Sequence, residues 1–181
     1  MARIAPLDPP YPAAVAETLA AMMPPGIAPL VLFRAVAHNP RILAKLRAAN
    51  LLDRGALARR ERELVILRTT ARCGAEYEWG IHVAFFAPRV GLSEALVAAT
   101  VGAGADDPIW TPREALLVRL CDALHERAGV ADDLWAALAE EWDAAQLIEL
   151  ITLAGFYHTI SFLVNALALA PEDYAARFPP G

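Results

Sequence analysis

The stretch RERELVILRTTARCGAEYEWGIHVAFFAPRVGL, Arg60–Leu92, decides the fold. It predicts two apolar helices joined at Cys73-Gly74, where the glycine can end the first helix in a left-handed conformation. We place the first helix at Arg59–Arg72 and the second at Glu76–Ala87, ending before Pro88 because proline cannot continue a helix. The pair therefore forms a central helical hairpin.

The composition favours an all-α domain. The chain has 181 residues, of which 57% are hydrophobic, a length that suits one domain with a sizeable core. Alanine and leucine, both strong helix formers, dominate that fraction. So much apolar surface predicts a homo-oligomer. The net charge of −5, without a basic stripe, argues against nucleic acid as a partner.

The chain divides into three parts along its length. Residues 1–28 form a proline-rich arm with a short helix, residues 29–171 form the helical domain, and residues 172–181 form a tail. Within the domain, Asn39-Pro40 predicts a break between helices, and Thr111–Glu114 has the residues of a capping box.

The sequence predicts a cytoplasmic protein that does not cross a membrane. The start of the chain lacks the continuous apolar run of a signal peptide, and Cys73 and Cys121 lie outside any disulfide or metal-binding pattern. Leu150–Ala170 is uncharged and long enough to span a bilayer. However, His158 and other polar residues line one face of it, which indicates a core or interface helix that runs to Ala170.

Several titratable side chains converge on the predicted hairpin. Glu63 lies eleven residues before Gly74 and His82 lies eight residues after it. The mismatch of three residues corresponds to about 4.5 Å, so the two can meet across an antiparallel pair. Glu78 is four residues before His82 and shares its face, and Tyr77 is placed next to the same group.

A carboxylate–imidazole–carboxylate set can transfer protons. We assign His82 as general acid and base, Glu78 as the group that orients it, and Glu63 as the end of the relay. Tyr77 would donate a hydrogen bond to a substrate or water. Apolar neighbours such as Trp79 would raise the pKa of a carboxyl group, which could then act as an acid.

Each of these residues also has a possible structural role. Glu78 and His82 can form a simple salt bridge on one helix. Arg68 and Arg72, one turn apart, can clamp a substrate carboxylate or lie on a solvated face. His158 and Trp79 join the arginines as predicted substrate-binding residues, although a histidine in a polar stripe also suits a core position.

Neither a metal nor a cofactor is expected. Glu63, Glu78 and His82 offer oxygen and nitrogen ligands, but the stretch lacks the ExxH spacing typical of carboxylate-bridged metal sites. Motifs such as GxSxG and HExxH do not occur.

The stretch Arg59–Ala95, RRERELVILRTTARCGAEYEWGIHVAFFAPRVGLSEA, resembles the superfamily of carboxymuconolactone decarboxylase and the alkylhydroperoxidase AhpD. Counted back from His82, Glu63 falls on the family glutamate and Tyr77 on a relay position. Ala75 and Glu78 stand where the AhpD branch has the two cysteines of its CxxC motif. The chain therefore resembles the branch without CxxC.

The resemblance implies an AhpD-like all-α fold and homo-oligomers that are dimers, trimers or hexamers. It also implies a decarboxylase-like lyase that does cofactor-free acid–base chemistry on a small carboxylated lactone or related organic acid. One alternative is an AhpD-like, peroxiredoxin-type peroxidase that uses Cys73. Another is an oligomeric protein that binds a small molecule without turnover.

Overall fold

The computed structural model describes residues 2–49 and 51–180, and within these ranges the regular structure is entirely helical. Its α-helices are α1 (Ala13–Met22), α2 (Val31–Val36), α3 (Pro40–Ala48), α4 (Arg59–Arg72), α5 (Glu76–Phe85), α6 (Glu94–Gly102), α7 (Pro112–Arg127), α8 (Asp132–Glu141) and α9 (Ala144–Ala166). A 3₁₀ turn, Ala87–Val90, follows α5. The predicted all-α fold class is confirmed.

Helix α4 lies at the centre of the molecule. It packs against α5, α6, α7 and α9, and every residue from Arg62 to Thr70 is buried. The apolar run Leu64–Leu67 supplies this contact on all sides of the helix. Because neighbours surround α4, its polar side chains Glu63 and Arg68 also lie inside the molecule and need partners there.

The turn between α4 and α5 is built as the sequence predicts. Gly74 has φ = +61°, in the left-handed region that glycine adopts without steric cost. Its N–H donates to Ala71 O and the N–H of Ala75 donates to Thr70 O, each at 2.9 Å. This pair of bonds is the Schellman arrangement that closes a helix end and reverses the chain.

Two predicted helix ends lie further along the chain than the observed ones. Helix α5 ends at Phe85 instead of Ala87, because the chain tightens into the 3₁₀ turn before Pro88. Helix α9 ends at Ala166 instead of Ala170, because Ala168 takes a left-handed conformation with φ = +51°.

Helix α9 is the one helix in the described ranges that is long and apolar enough to cross a membrane by length and composition. Leu150, Leu153 and Tyr157 on one side of it are buried in the same apolar core as α4. The opposite side exposes Ile148 and Phe162. Part of the apolar surface of α9 is therefore buried in the core of the protein.

The C-terminal segment lies across α5 and touches it repeatedly. The N–H of Ala176 donates to Gly80 O, and the N–H of Phe178 donates to Glu76 Oε1 at 2.9 Å. The Phe178 ring packs against Trp79 at 5.1 Å between centroids. This close approach requires glycine at position 80, because a Cβ there would overlap the carbonyl oxygen of Ala176.

We therefore expect Gly80→Ala to displace the tail and to lower the free energy of unfolding by about 1–3 kcal/mol. The matched control is Gly155→Ala in α9, where a Cβ meets no atom within 4 Å. That change should be neutral or raise stability by up to about 1 kcal/mol, since alanine is the better helix former. Urea unfolding measures both, and equal stability of the two variants would contradict the tail contact.

Candidate active site

Glu63 and His82 meet across the α4–α5 pair. Glu63 Oε2 lies 2.7 Å from His82 Nδ1, and Glu78 Oε1 lies 3.5 Å from His82 Nε2. The exposed fractions of Glu63, Glu78 and His82 are 1%, 7% and 2%. The structure thus brings together the three side chains that helix spacing placed on facing sides, and it removes them from bulk water.

Tyr157 of α9 is a fourth member of this cluster. Its hydroxyl oxygen lies 3.1 Å from His82 Nε2, and its ring meets the imidazole edge-on. The ring of Phe86 stacks on His82 at 4.9 Å. Tyr157 was not predicted, because it lies 75 residues from His82 in the chain. No residue spacing links the two side chains.

The carboxylates keep the imidazole protonated. Burial alone would lower the pKa of His82, but hydrogen bonds with Glu63 and Glu78 and their negative charges outweigh it and raise the pKa to about 9. At neutral pH the Nδ1–H of His82 donates to Glu63, and the Nε2–H points to Tyr157 and Glu78. The site therefore stores a proton between two acceptors.

A cavity of about 670 Å³ borders the cluster. Glu63 and Phe86 form part of its wall, as do the arginines Arg54, Arg59, Arg62 and Arg89. Arg62 is buried, whereas the other three arginines are exposed. Guanidinium groups bind carboxylates and phosphates, so the cavity suits a small anion.

Buried polar atoms without a hydrogen-bond partner mark where the cluster is incomplete. Among the described residues these atoms include Glu63 Oε1, Arg62 Nε and Glu78 Oε2. Glu63 Oε1 and Arg62 Nε lie 3.7 Å apart on residues that line the cavity. A buried polar atom without a hydrogen-bond partner lowers the stability of the fold. A ligand or water that bonded to these two atoms would remove that cost.

Tyr77 does not join the cluster, contrary to the expectation from its position beside Glu78. Its hydroxyl donates to Glu172 Oε1 at 2.7 Å and accepts from the N–H of Leu32 at 3.0 Å. One residue of helix turns a side chain by about 100°, so Tyr77 faces α2 and the C-terminal segment instead of His82. Its bonds tie those segments to α5.

Arg68 and Arg72 do not form the predicted substrate clamp. Arg68 is 4% exposed, and it donates from Nε and Nη2 to both carboxylate oxygens of Asp122 and from Nη1 to Thr100 O and Ala103 O. Arg72 pairs with Glu126 at 2.7 Å. These arginines connect α4 to α6 and α7, and neither lines the cavity.

Trp79 and His158 also lie outside the cavity lining, so the structure offers no support for substrate contact by either. Trp79 is buried and donates from Nε1 to Thr100 Oγ1 at 3.0 Å. His158 Nδ1 lies 2.8 Å from Ala154 O, and Nε2 lies 3.1 Å from His125 Nδ1. The arginines of the cavity were not singled out from sequence, because the loop that carries Arg54 has no pattern.

The central part of the chain matches a known protein family. Residues 38–122 match the family model described as the carboxymuconolactone decarboxylase family. The matched segment contains Glu63, Glu78 and His82 but ends before Tyr157. Among curated proteins, none matches the sequence.

Solved structures share the fold. An uncharacterized peroxidase-related protein from a Silicibacter species superimposes with a TM-score of 0.79 at 19% identity, covering 97% of this chain and 96% of that one. The alkylhydroperoxidase AhpD core from Ralstonia eutropha gives 0.78 at 15%, covering 94% and 93%. The debrominase Bmp8, in complex with 2,3,4-tribromopyrrole, gives 0.72 at 14%, covering 94% and 92%. Identities this low show the fold alone.

We expect Glu63→Gln and Glu78→Gln each to lower the pKa of His82 from about 9 towards the ordinary value of about 6.5. Glu63→Gln should act more strongly, because it removes the shorter contact, 2.7 Å against 3.5 Å. NMR titration of the imidazoles measures this, with Glu140→Gln on the exposed face of α8 as control. An unchanged pKa in Glu63→Gln would show that the contact does not hold the proton.

Protonation of His82 also makes stability depend on pH. Because the folded-state pKa is about 9 and the unfolded value is about 6.5, the stabilisation is complete below about pH 6.5 and is lost as pH rises through about 9. We expect the free energy of unfolding to fall by on the order of 3 kcal/mol across that window. Urea unfolding from about pH 6 to about pH 10 tests this, and Glu63→Gln should show a weaker slope.

Proposed function

We propose, from the family-model match over residues 38–122 and the AhpD-like fold, that the chain is a member of the carboxymuconolactone decarboxylase and AhpD-like superfamily and a cofactor-free proton-transfer enzyme. Its substrate class would be a small carboxylated lactone or related organic acid, and its reaction a decarboxylation. One observation carries the proposal. Glu63 uses one carboxylate oxygen to hold the His82 imidazolium, its other carboxylate oxygen has no hydrogen-bond partner, and the residue borders an arginine-lined cavity.

The cavity supports an anionic substrate. The exposed Arg59 and Arg89 attract a carboxylate, and buried Arg62 can hold it beside Glu63. A guanidinium in a site shielded from water stabilises developing negative charge more strongly than it would in water. The volume of about 670 Å³ suits a compact ligand.

The chemistry follows from where the proton is stored. As the bond between the substrate carbon and its carboxylate breaks, carbon dioxide leaves and the electron pair moves into a conjugated carbonyl, which forms an enolate. The His82 imidazolium passes its Nδ1 proton to the Glu63 carboxylate, and Glu63 delivers that same proton to the carbon, which returns Glu63 to a carboxylate and leaves His82 neutral. Solvent then reprotonates His82. Because the substrate carbonyl takes the electron pair, the step needs no cofactor.

In this mechanism the residues have different roles from those predicted from the sequence. Glu63 touches the substrate, His82 supplies its proton, and Glu78 and Tyr157 keep the imidazole oriented and charged. Glu63 is favoured as the reacting group because it lines the cavity, whereas His82 lies behind it.

A peroxidase that uses Cys73 is the second candidate, favoured by the fold shared with peroxidase-related proteins. Burial raises the pKa of the Cys73 thiol, despite a hydrogen bond with Ser161 and the charge of Arg72, so the reactive thiolate is scarce. Cys121 bonds to Val65 O, eight residues before Cys73 on α4, which corresponds to about 12 Å. A resolving thiol would have to come from another molecule.

Self-association and a cytoplasmic location complete the proposal. Ile148 and Phe162 of α9 are 66% and 64% exposed, and such apolar side chains suit contact with a second copy. The free thiols Cys73 and Cys121 are consistent with a reducing compartment. A protein that binds the acid without turnover remains the third candidate, because the same cavity would serve it.

The test is incubation of the protein with a panel of carboxylated lactones, with release of carbon dioxide and uptake of deuterium from heavy water as readouts. For a substrate that reacts, Glu63→Gln should lower kcat by about 100-fold or more. Arg89→Gln should mainly raise KM, because it removes a contact to the bound carboxylate. Arg47→Gln, an exposed arginine on α3, should leave both unchanged.

Other outcomes separate the candidates. Full activity in Glu63→Gln would overturn the assignment of that residue. Binding without product in any panel member would favour the third candidate. Consumption of a hydroperoxide that disappears in Cys73→Ser but persists in Glu63→Gln would favour the second.

A further inference from the structure

A second cluster of ligand-type side chains lies at the opposite end of α4 from Glu63. Cys73 Sγ lies 3.7 Å from His125 Nδ1, and His125 Nδ1 lies 3.1 Å from His158 Nε2. All these atoms lie within 4.8 Å of one another. Cys73 follows Glu63 by ten residues, about 15 Å along the helix, so this cluster is separate from the carboxylate–histidine cluster.

We propose that Cys73, His125 and His158 bind a divalent transition-metal ion of the Zn²⁺ class, with a fourth position open to solvent. A thiolate and two imidazoles are ligands that Zn²⁺ prefers, and three protein ligands with an open position are a common arrangement. The proposal concerns a site outside the arginine-lined cavity and does not depend on the proposed decarboxylation.

The distances between the donor atoms fit one shared ion. With Zn–N of about 2.0–2.1 Å and Zn–S of about 2.3 Å, tetrahedral coordination places two nitrogens about 3.3 Å apart and a sulfur and a nitrogen about 3.6 Å apart. The observed separations are 3.1 Å and 3.7 Å. Binding of an ion would therefore change each of these two distances by only a few tenths of an ångström.

The imidazole of His158 is oriented for this role. Its Nδ1–H donates to Ala154 O at 2.8 Å, which leaves the lone pair of Nε2 directed at His125. Metal-bound histidines typically donate their other ring N–H to a carbonyl or carboxylate in this way. Without an ion, one proton on His125 Nδ1 can bridge the two nitrogens, and an ion would replace that proton.

The surroundings permit a cation. Cys73 ends α4 and His125 lies in the last turn of α7, so the negative ends of two helix dipoles approach the site. The nearby Arg72 is neutralised by ion pairs with Glu126 and Asp122. Cys73, His125 and His158 are each half-buried, so solvent ions can reach the site.

The ligands come from rigid parts of the fold. Helix α4 packs along both α7 and α9, which carry His125 and His158. The amide of Asn165 in α9 donates to Cys73 O at 2.8 Å and fixes the turn beside the thiol. A site held this way changes little when the ion enters, which favours binding.

The test is titration of the chelator-treated full chain with Co²⁺ under reducing conditions. We expect one equivalent to produce a thiolate-to-cobalt charge-transfer band, and Zn²⁺ to abolish that band by displacement. Cys73→Ser should remove the band, and His158→Gln should weaken Co²⁺ binding at least tenfold. His38→Gln, on an exposed histidine, should leave binding unchanged.

Circular dichroism of each variant shows whether it is folded, and a Zn²⁺-dependent rise in Tm for wild type but not Cys73→Ser gives a second readout. Absence of the thiolate band in wild type would overturn the proposal. Equal Co²⁺ affinity in wild type and Cys73→Ser would also overturn it. Loss of Co²⁺ binding in Glu63→Gln but not in Cys73→Ser would place the ion in the other cluster and refute the assignment.

Discussion

The bond between Glu63 Oε2 and His82 Nδ1 joins the two helices on which the rest of the structure depends. At 2.7 Å it spans α4 and α5 inside an apolar core, where a charged group is tolerated only if it is paired. The Gly74 turn sets the register that allows it, and the surrounding helices exclude water from it. One contact therefore both joins the two helices and helps to keep His82 protonated.

Much of this arrangement follows from sequence, because the relevant information is local. Gly74 fixes the reversal, and helix geometry then determines which residues face each other, so Glu63, Glu78 and His82 could be paired by counting. Thr111 and Glu114 are similarly predictable, since a capping box depends on residues three apart. Local rules also gave the all-α fold.

The features that could not be predicted from the sequence depend on contacts between distant segments. Tyr157 reaches His82 from α9, and the cavity is lined by Arg54 from a loop and by Arg89 from the 3₁₀ turn after α5. Arg68 has the spacing of a clamp, but its bonds to Asp122 use it as a connection between helices. His158 lies near Cys73 and His125 only when the helices α4, α7 and α9 pack together. The spacing of these residues in the sequence therefore does not predict the cluster.

The unpaired Oε2 of Glu78 has a consequence for how the protein would respond to selection. Replacement of a whole buried ionic cluster by apolar side chains of similar volume is often neutral or stabilising, whereas loss of one partner leaves a buried charge uncompensated. Selection for heat resistance alone would therefore tend to discard Glu63, Glu78 and His82 together, and not Glu78 by itself. If the cluster carries out catalysis, the protein trades part of its thermal resistance for reactivity at this position, as enzymes commonly do.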